Sequence, residues 1–143
     1  MNFHFSENER LNGKFIIALW RAYQFAHKKS MSLFRENGIT MAQFMALEVL
    51  YNKGEMTVQE IVAKVLSSSG NMTVVIRNLE RGGLVLRRLN PSDGRSSLIS
   101  LGSKGRDLMD KIFPLHMANL CDAFKVLSKG EKEKMIELLK KLK

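Results

Sequence analysis

The chain has 143 residues, 23 Lys and Arg against 14 Asp and Glu, and one cysteine, so its formal charge is +9, it can close no intrachain disulfide, and it lacks the cysteines of a structural zinc site. At 45% hydrophobic and 26% charged it reads as a single folded domain with a sizeable core, neither disordered nor membrane-spanning. Residues 1–10 lack the charged and apolar regions of a signal peptide and no run of about 18 apolar residues follows, so a soluble cytoplasmic protein is expected, its positive excess favouring nucleic acid over a membrane surface.

Four pairs carry the spacing of a capping box, in which each side chain satisfies a backbone N–H of the other: Ser6 with Glu9, Thr40 with Gln43, Thr57 with Glu60, and Ser128 with Glu131. The first opens a long amphipathic helix to about Glu36, with Ile16, Leu19, Tyr23, Ala26 and Leu33 at helical spacings and Gly38 as its stop. The second predicts a helix from about Met41 to Asn52 that turns Phe44, Leu47 and Leu50 inward and stops at Gly54. A short third helix, Val58 to about Val65, has Ile61, Val62 and Val65 apolar. The serine-rich stretch from Leu66 to Asn71 reads as a turn into a fourth helix, about Asn71 to Arg81. There Met72, Val75, Ile76 and Leu79 form the buried stripe, leaving Asn71, Thr73, Val74, Arg77, Asn78 and Arg81 outside.

After Gly82 and Gly83 the pattern changes. Leu84 to Leu86 and Leu98 to Leu101 are short aliphatic runs around Asn90-Pro91-Ser92-Asp93-Gly94-Arg95, which reads as a β-hairpin. A fifth helix begins near Ser103, with Leu108, Ile112, Leu115 and Leu120 apolar and a kink expected at Pro114. The sixth, about Lys129 to Leu142, presents Met135, Leu138, Leu139 and Leu142 as one stripe. No internal repeat and no long linker divides the chain. The expected fold is mainly α with a small β-hairpin: six helices around a winged helix-turn-helix.

Charge follows this organisation. Residues 53–106 hold nine basic and four acidic side chains, whereas 1–52 hold six and four, and 107–143 eight and six. Six of the nine arginines, Arg77, Arg81, Arg87, Arg88, Arg95 and Arg106, lie between 77 and 106, where Lys104 is the one lysine. Arginine's planar fork suits bidentate phosphate contacts and narrow grooves; lysine supplies mainly solvated charge. A helix supported from behind by Met72, Ile76 and Leu79 fits a major groove, with a hairpin beside it for the neighbouring backbone or minor groove. The plainer reading of the same charges is a solvated basic face.

The run Gly83-Leu84-Val85-x-Arg87-x-x-x-Pro91-x-Asp93-x-Arg95, followed by Leu101-x-x-Lys104-Gly105, resembles the wing signature of the MarR family of transcriptional regulators. The similarity extends through Leu47-x-x-Leu50, residues 69–73 and Leu79-Glu80 into the closing helices. Gly102 departs from it, standing where the family usually has a capping Thr, with Ser103 as the candidate substitute. The resemblance implies a homodimer whose first, fifth and sixth helices interleave (1–37 and 106–143), holding two DNA-binding lobes (38–105) on a pseudo-palindromic operator, most often as a repressor. It implies Arg95 in the minor groove and Asp93 orienting the wing. Residues alone allow Asp93 either to restrain the Arg95 guanidinium or merely to favour the turn. For the recognition helix the candidates are Ser69, Asn71, Thr73, Val74 and Arg77, and for the wing Arg87, Arg88, Asp93 and Arg95. The apolar stripes of the first and last helices independently require burial, as a dimer would supply.

Family resemblance also suggests a small aromatic or lipophilic effector, with Leu19, Trp20, Tyr23, Phe44, Met45, Met109 and Phe113 as pocket candidates; residues of these types are more often core than pocket. Cys121, between Leu120 and Asp122, reads as a small buried hydrophobe without the cation that would activate a thiolate. His4, His27 and His116 are unpaired in sequence, so no metal or other cofactor is expected. No phosphate loop, nucleophile elbow or carboxylate pair suggests catalysis. The alternative from another class is a winged helix that contacts protein, which would not need the arginine cluster.

Overall fold

The structure is a computed structural model and describes residues 5–65 and 69–142. All four capping boxes form in it. Ser6 N–H donates to Glu9 Oε2 at 2.7 Å while Glu9 N–H donates back to Ser6 Oγ at 3.3 Å. The reciprocal distances are 2.9 and 3.2 Å for Thr40 with Gln43, 2.7 and 3.2 Å for Thr57 with Glu60, and 2.7 and 3.3 Å for Ser128 with Glu131. Hydrogen bonds from the cap residues hold the carboxyl groups of Glu9, Glu60 and Glu131 below their ordinary range.

These signals start α1 (Glu7–Glu36), α2 (Met41–Lys53), α3 (Val58–Val65) and α6 (Lys129–Leu139). Between them lie β1 (Met56–Thr57), α4 (Ser69–Arg81), β2 (Val85–Asn90), β3 (Asp93–Leu101) and α5 (Ser103–Ala123), and a 3-10 turn, Lys140–Leu142, finishes the described chain. The helix expected from about Asn71 already begins at Ser69, and the turn residues 66–68 lie outside the described residues. α5 stays helical through Pro114. None of the described helices is long and apolar enough to cross a membrane.

By its contacts the chain divides into two units, Met31–His116 and Met1–Ser30 with Met117–Lys143. In the central unit, Phe34, Phe44, Leu47, Leu50, Ile61, Met72, Ile76, Leu79, Val85, Ile99, Met109 and Ile112 form a fully buried core. The antiparallel sheet has the order β1-β3-β2, with Val85 opposite Leu101, Arg87 opposite Ile99 and Arg88 opposite Leu98. β1 is a strand only because β3 offers it partners, Met56 to Ile99 and Thr57 to Leu98. Tyr51 Oη donates to Asp110 Oδ1 at 2.7 Å, fastening α2 to α5.

The wing's root is packed through glycine. Leu84 N–H donates to Leu79 O at 2.9 Å and Leu84 O accepts from Gly102 N–H at 3.0 Å. Gly105 lies so close that a Cβ there would sit 2.0 Å from Leu84 O, and one on Gly102 would sit 2.9 Å from Gly83 O. That closeness explains the departure at 102. Gly102 O receives the Arg106 N–H at 3.0 Å, so Gly102 itself caps α5, and Ser103 is its first helical residue rather than the cap expected from sequence.

In the other unit, Asn119 Nδ2 donates to Lys29 O at 3.1 Å and Lys29 pairs with Asp122, joining α1 to the end of α5. Its apolar residues are largely uncovered: Phe15, Ile16, Ile17, Trp20 and Tyr23 on α1, and Met135, Ile136, Leu138 and Leu139 on α6, are exposed. Cys121, expected to be buried, is exposed, because its face of α5 turns away from the few buried positions of this unit.

Candidate nucleic-acid interface

α4 sorts its side chains cleanly. Met72, Ile76 and Leu79 are buried to about 1% exposure or less, and Val75 is buried beside them. Asn71, Thr73, Val74, Arg77, Asn78 and Arg81 all face outward. Ser69 opens the helix, and no acidic residue stands in the first turn. The outward face is therefore polar and cationic, with Val74 as its apolar element, and α3 precedes it as the first helix of a helix-turn-helix pair.

The wing is longer and tighter than the short runs predicted. Pairing continues to Asn90 opposite Asp93, with a register shift after Leu89, leaving Pro91 and Ser92 as the turn. Side chains build this tip from within: Asn90 Oδ1 accepts the Ser92 N–H and Asp93 Oδ1 accepts the Arg95 N–H, each at 3.0 Å, and Ser96 Oγ accepts from Asn90 Nδ2 at 2.9 Å and donates to Asp93 O at 3.2 Å. Asp93 thus grips the backbone of Arg95, the turn-favouring role of the two that sequence allowed. Arg95 itself is exposed, and no acidic partner for its guanidinium exists among the described residues.

Arg87 and Arg88 behave differently. Arg87 Nε lies 3.1 Å from Glu80 Oε2, at the end of α4. Arg88 takes Glu55 with two nitrogens, Nε to Oε2 at 2.8 Å and Nη2 to Oε1. Its guanidinium holds the Glu55 carboxyl below the usual carboxylate range and is itself pushed up. Sequence reasoning missed both carboxylates. Only the strand register and the fold of β1 beside β3 bring Glu55 within reach of a residue 33 positions away.

The effector candidates fall into two sets. Leu19, Trp20 and Tyr23 lie with Ile16 and Ile17 on one largely exposed apolar face of α1, Trp20 and Tyr23 stacking at 6.3 Å. In the other unit Phe44 and Met109 are fully buried, while Met45 and Phe113 are half-buried against that core. His116 is buried against Phe34 and Phe44, with ring centroids at 5.6 and 4.7 Å. The His27 ring packs on Tyr23 at 4.0 Å with Nδ1 buried and without a partner among the described residues, and burial pushes its pKa down. Among the described residues no group of three His, Cys, Asp or Glu side chains is placed to hold a metal.

Comparison with known proteins gives consistent relatives. The model of the MarR family matches residues 39–97. The uncharacterized HTH-type transcriptional regulator YkoM of Bacillus subtilis is 39% identical over 121 residues, covering 85% of this chain and 79% of that protein. The HTH-type transcriptional regulator MhqR of the same organism is 35% identical over 129 residues, 90% and 89% of the two chains. Among solved structures, Bordetella bronchiseptica BpsR, studied for regulation of its DNA binding by 6-hydroxynicotinic acid, superposes with a TM-score of 0.80 at 25% identity, covering 90% of this chain and 98% of its own.

Proposed function

The chain belongs to the MarR family of helix-turn-helix transcriptional regulators, and from that premise we propose that it acts as a homodimeric repressor on a pseudo-palindromic operator. In this reading α4 enters a major groove with Ser69, Asn71, Thr73, Val74 and Arg77 toward bases and phosphates, and the wing reaches the adjacent minor groove with Arg95. The observation that carries it is a polar, cationic outer face on a helix whose other face is fully buried, followed by a wing whose tip guanidinium has no acidic partner among the described residues. Residues 38–105 make the DNA-binding lobe; 1–37 and 106–143 make the dimerising region, where the uncovered apolar faces of α1 and α6 supply the surface. The role is regulatory rather than catalytic, and its compartment is that of the genome, the cytoplasm.

A small aromatic or lipophilic effector completes the reading. BpsR, whose DNA binding is regulated by 6-hydroxynicotinic acid, supports it. Such a molecule would release the operator by favouring a spacing of the two recognition helices other than the ~34–36 Å of successive major grooves on one face of B-DNA.

The test is selection of bound duplexes from random DNA, followed by anisotropy titration of the selected site. Arg95→Ala should weaken binding by about 5- to 150-fold without changing the unfolding temperature, and log Kd should rise linearly with log salt. An unchanged affinity for Arg95→Ala refutes the wing assignment; a flat salt response refutes DNA as the partner.

A further inference from the structure

We infer that Glu55 and Glu80 are positioning residues that set the wing's angle to the recognition helix, and that Arg88 and Arg87 serve these carboxylates rather than DNA phosphates. The inference rests on the DNA-binding reading above and deepens it.

Arg87 and Arg88 are consecutive on β2, so their side chains leave opposite faces of the hairpin. Arg87 stands opposite Ile99, on the face that meets the core, and reaches Glu80 on the last turn of α4. Arg88 stands opposite Leu98, which pairs on its other side with Thr57, so its guanidinium crosses the central strand to Glu55 at the entry of β1. One tie therefore fastens the wing to the recognition helix and the other fastens it to the far edge of the sheet, one on each face. Arg77, Arg81 and Arg95, by contrast, have no acidic partner among the described residues.

Both ties grip the root. Beyond the Leu89–Ser97 pair the register shifts, and the tip is held by hydrogen bonds among Asn90, Ser92, Asp93, Arg95 and Ser96, with no tie to α4 or β1 among the described residues. A two-stranded ribbon twists easily when nothing braces it. From the Arg88–Leu98 pair to Arg95 is three residues, about 10 Å of strand, so a tilt of about 15° at the root displaces the tip by roughly 2–3 Å, farther than the tolerance of a hydrogen bond. The two-point geometry of Arg88 on Glu55 fixes direction as well as distance, which a lysine would not.

The opposite role is also defined: as competitors, the carboxylates would hold arginines back from phosphate, and removing them would tighten binding. The full-length protein with Glu55→Gln, Arg88→Ala and Glu80→Gln, each alone and combined with Arg95→Ala, distinguishes the two when titrated by anisotropy against the selected operator. Positioning predicts that each single variant binds about tenfold more weakly, within the range of coupling between contacting groups. The same change made on top of Arg95→Ala should cost less than about twofold, because the brace acts through the tip. Glu55→Gln tests the brace through a surface, near-isosteric change, so a folding failure of Arg88→Ala leaves the result readable by thermal melt and titration. Tighter binding by Glu55→Gln, no change in any single variant, or Arg88→Ala effects that add fully to those of Arg95→Ala with a further loss of about one unit of salt slope would each overturn the inference. Wild-type protein that selects no sequence and binds no duplex overturns the DNA-binding reading itself, and this inference with it; variants that bind like a competent wild type overturn only the inference.

Discussion

Gly105→Ala places a methyl group where the structure has room for none. Gly105 is the third residue of α5, and the added carbon would lie 2.0 Å from Leu84 O, 3.0 Å from Leu84 C and 3.3 Å from Leu101 Cδ2. The carbonyl must retreat by more than 1 Å to restore ordinary contact, and it is the acceptor for the buried Gly102 N–H at 3.0 Å. Overpacking costs about 1–3 kcal/mol, and stranding the Gly102 donor adds about 1–3 kcal/mol. Alanine's better helix propensity offsets up to about 1 kcal/mol of this. The net is a destabilisation of about 3 kcal/mol, or a fall in Tm of roughly 10 °C for a chain of this size. Circular dichroism melts of Gly105→Ala and Gly130→Ala make the comparison internal, because a methyl at Gly130, in the first turn of α6, meets nothing within 4 Å. There the propensity gain stands alone, and Tm should hold or rise. A Gly105→Ala protein that melts with the wild type refutes the packing argument. Since Leu84 leads straight into β2, the same variant should also lose operator affinity below its melting range.

Two further outcomes concern the other unit. Burial pushes the His27 pKa down, so below about pH 6.5 the unfolded chain takes up a proton that the folded chain resists, and stability falls as pH drops through that window and is fully present above it. Tm should be lower at pH 5.5 than at 7.5, and His27→Gln should narrow the gap, since the capped carboxylates of Glu9, Glu60 and Glu131 respond only at lower pH; an unchanged gap refutes the assignment to His27. Leu138→Glu on the uncovered face of α6 should convert a dimer to monomers in sedimentation velocity, and a dimer of unchanged stability would move the interface elsewhere.

Local chemistry was legible wherever it was self-contained. A capping box is decided within four residues, and all four formed; the stripe Met72, Val75, Ile76, Leu79 needs only helical periodicity, and it is buried. What depended on partners distant in sequence was not. Met56 and Thr57 are too short to announce a strand and become one beside β3. The aliphatic runs mark strand only at 84–86 and 98–101, around a turn at 90–95, yet backbone pairing across the ribbon is indifferent to the polar side chains between and runs on to Asn90 and Asp93. Nothing in the sequence near Glu55 or Glu80 announces a partner; the strand register brings Arg88 and Arg87 to them. Cys121 sits beside the half-buried Leu120 in sequence but about 100° round the helix from it, on the exposed side.

The self-tied tip of the wing bears on kinetics. With Asn90 and Asp93 already holding the backbone of Ser92 and Arg95, the turn needs no folding step when it meets a groove, and little ordering entropy remains to be lost there. Encounter is then governed by diffusion and by the field of the arginine-rich lobe, nearly alike for every duplex at a given salt. Discrimination between an operator and unrelated DNA should accordingly appear in residence time rather than in the rate of arrival.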